Sequence, residues 1–103
     1  MHVTYSIRLL IEALDDLKDA TKYYAIRSPS IGSAFYDEIH SNLDKIQLTP
    51  ILLPLVDSVH RSWLLKRFPY KIIYRIDQFE IVIVAVAHTS RRPNYWRRRE
   101  SDS

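Results

Sequence analysis

A chain of 103 residues with a net charge of +3 has room for one domain, and at that size it buries roughly 65% of its extended-chain surface, enough for one core without covalent staples. The absence of cysteine excludes disulfides, thiolate metal sites and cysteine nucleophiles. A single glycine, Gly32, excludes the glycine-rich loops that cradle phosphates, so no nucleotide cofactor is expected and none of another kind is implied.

In chain order, Val3, Tyr5 and Ile7 alternate with Thr4 and Ser6, which predicts a strand over 3–7, half exposed at a sheet edge. Acids at Glu12, Asp15 and Asp16 interrupt the apolar run Leu9-Leu10-Ile11 before it could form a signal segment or a membrane span. A cytoplasmic protein without a membrane partner is therefore expected. From about Leu9 to Ile26 the period becomes helical: Leu10, Ala13, Leu14, Leu17, Ala20, Thr21 and Tyr24 share a face, opposite Glu12, Asp15, Asp16, Asp19 and Lys22. Glu12, Asp15 and Asp19 read as a solvated face supported by Asp15/Lys18 and Asp19/Lys22 pairs.

Ser28-Pro29 fits an N-cap followed by proline at the first helical position. Ile31, Phe35, Ile39, Leu43 and Ile46 then form a second apolar stripe, which ends at Leu48 before Thr49-Pro50. Two helices joined by about three residues fold back as an antiparallel hairpin, with Tyr23, Tyr24 and Tyr36 as core and rim aromatics. Pro54 denies 51–59 a central strand position, leaving a loop packed on the core. His40 and His60 have no spacing that pairs two imidazoles, so no metal site is expected.

Three strands follow, at 62–68, 70–76 and 81–87, the second and third joined through Asp77-Gln78-Phe79-Glu80. The continuously apolar 81–87 is the expected centre of the sheet, covered on both sides. The fold class is α+β, in the order β-α-α-β-β-β, with the helix hairpin on one face of a small, mainly antiparallel sheet. Positive charge concentrates in this half. Residues 61–99 hold ten Lys/Arg against two acids, a local +8, while the first sixty residues carry −3. Such asymmetry points to a polyanion or an acidic protein as partner.

Over nearly its whole length the chain resembles the ParE/RelE superfamily, the toxins of type II toxin–antitoxin pairs. The resemblance rests on Ala13, Asp16-Leu17 and Tyr23-Tyr24 in the first helix, on Ser28-Pro29 and Ala34-Phe35 in the second, and on Arg61, Leu64-Leu65, Lys66-Arg67-Phe68-Pro69-Tyr70 and Ile73-Tyr74. Its most specific part is Ala85-Val86-Ala87-His88 with Arg91-Arg92-Pro93 and Tyr95-Trp96, similar to the ending of ParE-like members. The chain departs from the pattern before the first helix, where Leu9-Leu10-Ile11 replaces a proline and small residues, and in having no glycine in the 51–60 loop.

The resemblance implies a growth-inhibiting toxin of the plasmid-stabilisation type over 1–96, with a C-terminal tail at 97–103. It also implies a cognate antitoxin as partner, with a homodimer or a heterotetramer with that antitoxin as assemblies. Two mechanisms exist in the superfamily. Inhibition of DNA gyrase needs a charged and aromatic surface for a protein–DNA complex, and Arg61, Trp63, Arg67, Arg91, Arg92, Tyr95 and Trp96 are the candidates for it. Ribosome-dependent cleavage of mRNA without a metal needs a base, an acid and cations around the phosphate, for which the candidates are Arg67, Arg75, His88, Arg91 and Tyr95. The ParE-like ending favours gyrase. Trp96 as a plug on the helix hairpin and Arg97-Arg98-Arg99 as a solubilising tail are the competing structural readings.

Overall fold

The computed structural model describes residues 4–100. Strand β1 (Ser6–Leu9) leads into helices α1 (Ile11–Arg27) and α2 (Pro29–Leu48), followed by β2 (His60–Leu64), β3 (Tyr70–Asp77), β4 (Glu80–His88) and a 3-10 turn at Tyr95–Arg99. The sheet order is β1-β4-β3-β2, with β1 parallel to β4 and the other neighbours antiparallel. This is the expected α+β order. The first strand lies later than the alternation at 3–7 predicted, and Val3 of that expectation falls outside the described residues.

The helices cover one face of the sheet. Ala13, Leu17 and Ala20 of α1 and Phe35, Ile39, Leu43 and Ile46 of α2 are buried with Ile72, Tyr74, Ile81, Ile83 and Val86. Ser28 alone joins the helices, being C-cap of one and N-cap of the next, so the joint is tighter than the three residues expected. Its hydroxyl pairs with Ser30 Oγ at 3.0 Å and does not cap the helix. Gly32 makes this sharp reversal possible, because a Cβ there would lie 2.7 Å from that of Ala25. Gly32→Ala is expected to force the helices apart and destabilise the domain by about 1–3 kcal/mol, although alanine is the better helix former; urea unfolding monitored by circular dichroism measures the sign.

The strand expected at 62–68 starts and ends earlier. After Leu64 the chain turns, so buried Leu65 and partly buried Phe68 join the same helix-side core, where a continued strand would have placed them on opposite faces. The 50–59 loop is pinned by the Tyr74 hydroxyl donating to the Pro50 carbonyl at 2.9 Å and by Arg61 Nε–H donating to the Leu53 carbonyl at 2.8 Å. Asp77 and Glu80 still pair, leaving a two-residue reversal with Gln78 in the left-handed region at φ 55°.

No described helix is long and apolar enough to cross a membrane. The second face of the sheet has its own small core of Ile73, Val84, Ala85 and Ala87 under Trp96. Trp96 therefore plugs the sheet, on the face away from the helix hairpin. Arg97 to Arg99, read from the sequence as the start of a tail, belong to this folded turn.

Candidate functional site

One irregularity in β4 positions the cleft. Ile83 pairs with Tyr74 and Ala85 with Ile73, so Val84 is an extra residue and the alternation reverses after it. Ile81 and Ile83 face the helices before the bulge; after it Val86 does, while Ala85 and Ala87 face Trp96. His88 follows the same alternation as Val86, and its ring meets Tyr70 edge-on at 5.0 Å. Without the extra residue, His88 would have been carried to the opposite face.

The resulting cleft, of about 270 Å³, lies between the C-terminal half of α1 and the loop after β4, and is lined by Asp16, Asp19, Tyr23, Tyr70, His88, Arg91 and Tyr95. Arg91 stacks over the Tyr95 ring at 4.0 Å, and Arg99 approaches the same ring at 5.4 Å. Asp16 anchors this arrangement. Its Oδ2 accepts from the Val86 backbone N–H at 3.0 Å and from Arg99 Nη1 at 2.6 Å, and its Oδ1 from Arg99 Nη2 at 3.0 Å. Arg99 also donates to the Val84 carbonyl at 3.0 Å, fastening the turn to the bulge. This pairing raises the Arg99 pKa, and burial raises those of Tyr70 and Tyr95, so both phenols are neutral donors at ordinary pH.

The tautomer of His88 follows from its neighbours. The Ser90 backbone N–H donates to Nδ1 at 3.0 Å, and Ser90 Oγ lies 2.8 Å from the same nitrogen. A backbone N–H can only donate, so Nδ1 is an acceptor and the proton of the neutral ring sits on Nε2.

His88, Arg91 and Tyr95 thus share one cleft, and Arg92 is exposed in the adjoining loop. The Arg67 turn approaches the same end through the Thr89 N–H, which donates to the Pro69 carbonyl at 2.8 Å. Arg67 itself is 68% exposed and lies 3.8 Å from Glu38 on α2. The remaining candidates stand elsewhere. Arg61 holds the 50–59 loop, and Trp63 Nε1–H donates to Asn42 Oδ1 at 2.7 Å, tying β2 to α2. Arg75 lies roughly 17 Å along β3 from Tyr70, the partner of His88, and is bound by Glu100 and by Asp77. Trp96 is buried.

Comparison with known proteins adds to this geometry. The family model described as the ParE toxin of the type II toxin–antitoxin system parDE matches residues 7–93, from β1 into the loop after β4. The chain belongs to the ParE toxin family. Among solved structures, a chain of the chromosomal ParDE TA system from P. aeruginosa is similar at a TM-score of 0.75 and 19% identity, covering 84% of this chain and 98% of that one. At that identity the likeness is one of fold. No curated protein matches the chain.

The match to the ParE toxins stops short of Trp96 and the residues that fasten it. There His60 bridges two carboxylates, with Nδ1 3.0 Å from Asp57 and Nε2 2.8 Å from Glu100, and its ring lies 4.7 Å from Trp96. Arg97 pairs with Asp57 at 3.2 Å. Burial works to raise the Asp57 pKa, but the backbone N–H groups of Val59 and His60 and the His60 ring outweigh it and hold the carboxyl at about 2. Glu100 is shifted in the same direction, its desolvation outweighed by His60 and Arg75. A carboxylate whose folded pKa lies below its unfolded value stabilises the fold above the unfolded pKa and loses that contribution as pH falls through the folded one. The loss is expected between about pH 4 and about pH 2, with Asp57 contributing about 2 kcal/mol. Urea unfolding followed by tryptophan fluorescence over that range tests this, and Asp57→Asn is expected to flatten the dependence.

Proposed function

We propose that this ParE-family chain is a growth-inhibiting toxin that traps DNA gyrase on cleaved DNA, and that a cognate antitoxin neutralises it by docking on the helix hairpin. The observation that carries the target reading is the state of the groups that RNA cleavage would need: His88, Arg91 and Tyr95 share the cleft, but neither His88 nor Tyr95 is set to take a proton, and Arg75 stands apart. Arg75 is engaged by Glu100 and Asp77, away from His88. His88 holds its proton on Nε2, so that nitrogen donates and does not accept from a 2′-hydroxyl. Burial makes Tyr95 harder to deprotonate, against the direction a general base needs. What remains at this end is a surface of Arg91, Arg92, Tyr95 and Tyr23 with an exposed Arg67 nearby, suited to contact with a protein–DNA complex and requiring no proton transfer.

The antitoxin reading is supported on the other side of the helices. A groove of about 510 Å³ is lined by Leu9, Leu14, Leu17, Tyr36 and Leu43, with Lys18, Lys22 and His40 among its walls. An apolar floor with cationic edges fits an amphipathic acidic segment that orders as it binds.

Induced expression with two assays on one culture tests the target. DNA breaks with translation initially intact are expected; early loss of translation with cut mRNA would overturn the reading. Arg91→Ala is expected to lower toxicity at least tenfold with stability changed by less than about 1 kcal/mol, because the side chain is exposed and forms no ion pair among the described residues. Colony counts on inducing medium, beside a melting curve of the purified variant, separate the two effects.

A further inference from the structure

We propose that the cleft at the end of β4 takes one unpaired guanine base. Its walls hold the Tyr23, Tyr70 and Tyr95 rings, with Arg27 lying over Tyr23 at 3.9 Å and Arg91 over Tyr95 at 4.0 Å, so a base meets a lining of rings and guanidinium planes, both of which stack on bases. Its volume of about 270 Å³ lies near the lower end of the range for small-ligand sites, roughly 300–1,000 Å³. The polar groups select among ligands. Asp16 is committed to Arg99 and the Val86 N–H, which leaves Asp19 as the carboxylate of the cleft with no hydrogen bond or ion pair among the described residues. Arg91 stacks on Tyr95 and forms no ion pair among the described residues, so its N–H edge is available.

A free carboxylate in the wall repels a phosphate group, which argues for a base in the cleft and the sugar–phosphate chain outside, beside exposed Arg92. Guanine alone among the bases presents two adjacent N–H donors, N1 and N2, to match a carboxylate, and its O6 and N7 accept from an arginine. Adenine would turn the N1 lone pair toward Asp19, and cytosine its N3 lone pair. His88, with its proton on Nε2, supplies a further donor to an acceptor atom of the base or sugar. Asp19, Arg91 and the tyrosine walls therefore act as a specificity device on the face already read as the one that meets the target, and the inference rests on that reading.

Fluorescence anisotropy with labelled single-stranded dodecamers of thymine carrying one central guanine or one central adenine tests it. The intact protein is expected to bind the guanine oligomer roughly tenfold more tightly. Asp19→Asn is expected to erase the difference while leaving the salt-dependent background binding in place. A preference that survives Asp19→Asn in a variant folded by circular dichroism, or equal affinity for the guanine and adenine oligomers on both the DNA and the RNA backbone, would overturn the proposal. RNA counterparts, with uracil in place of thymine, identify the backbone that carries the base: a preference on either supports the cleft, and its absence on both removes it. A gyrase cleavage complex formed without any base preference would sink the guanine site and leave the target reading intact, whereas a preference without that complex would do the reverse.

Discussion

Ile83→Asp is expected to abolish folding. Ile83 is fully buried at the middle of β4, paired with Tyr74 of β3 and packed with the helix-side core. β4 is bonded on both edges, by β1 and by β3, and covered on both faces, so a carboxylate there has neither water nor a cation to meet. The cost of an uncompensated buried charge is about 5 kcal/mol or more, comparable with the whole stability of a domain of this size. Ile83→Val, which removes only a methyl group, is expected to cost about 0.5–1.5 kcal/mol and remain toxic. Circular dichroism and growth assays on both variants check this, and a folded, toxic aspartate variant would contradict the assignment of β4 as the centre of the fold.

Trp96→Ala is expected to have the second largest effect, about 3–5 kcal/mol, and to act on the cleft as well as on stability. The indole covers Ile73, Val84, Ala85 and Ala87, the second core of the sheet. It also sets the turn from which Arg99 reaches Asp16 and Tyr95 supports Arg91. Uncovering that face releases the turn, so toxicity is expected to fall together with the melting temperature. Arg91→Ala separates the two readouts, and the contrast between these variants distinguishes a residue that holds the surface from one that belongs to it. If Trp96→Ala melted like the parent, the turn would not be the clamp its packing indicates.

Much of the architecture was legible in the sequence because burial is periodic. The stripe Phe35, Ile39, Leu43, Ile46 could hardly be other than a helix, and the unbroken apolar run 81–87 required cover on both faces. The pattern at 62–68 overstates the strand because alternation alone does not register the turn after Leu64, which reuses Leu65 and Phe68 in one core. The cleft was half legible. His88, Arg91 and Tyr95 lie close together in sequence, and the bulge at Val84, which no side-chain pattern reveals, turns His88 toward the helices. Periodicity places Asp16 among the polar residues opposite the apolar stripe, yet it lies three residues after Ala13 and four before Ala20, both buried against the sheet. A carboxylate in that position needs a cation, and Arg99 supplies it across a separation of 83 residues that local reasoning does not span.

The +8 of residues 61–99 also changes meaning in three dimensions. Arg75, Arg97 and Arg99 each face a carboxylate, and Arg61 a carbonyl, so four of the ten cations serve the fold, while Arg67, 3.8 Å from Glu38, remains largely exposed. Arg91 and Arg92 stand exposed at the end of the sheet beside Tyr95 and form no ion pair among the described residues, which leaves their charge for a partner.

Purified toxin added to gyrase, ATP and supercoiled plasmid, with the reaction stopped by detergent and protease, tests the central claim most directly. Linear plasmid is expected to accumulate with the intact chain and to drop several-fold with Arg91→Ala. Unchanged plasmid topology, alongside codon-dependent cutting of mRNA on programmed ribosomes by the same preparation, would contradict it.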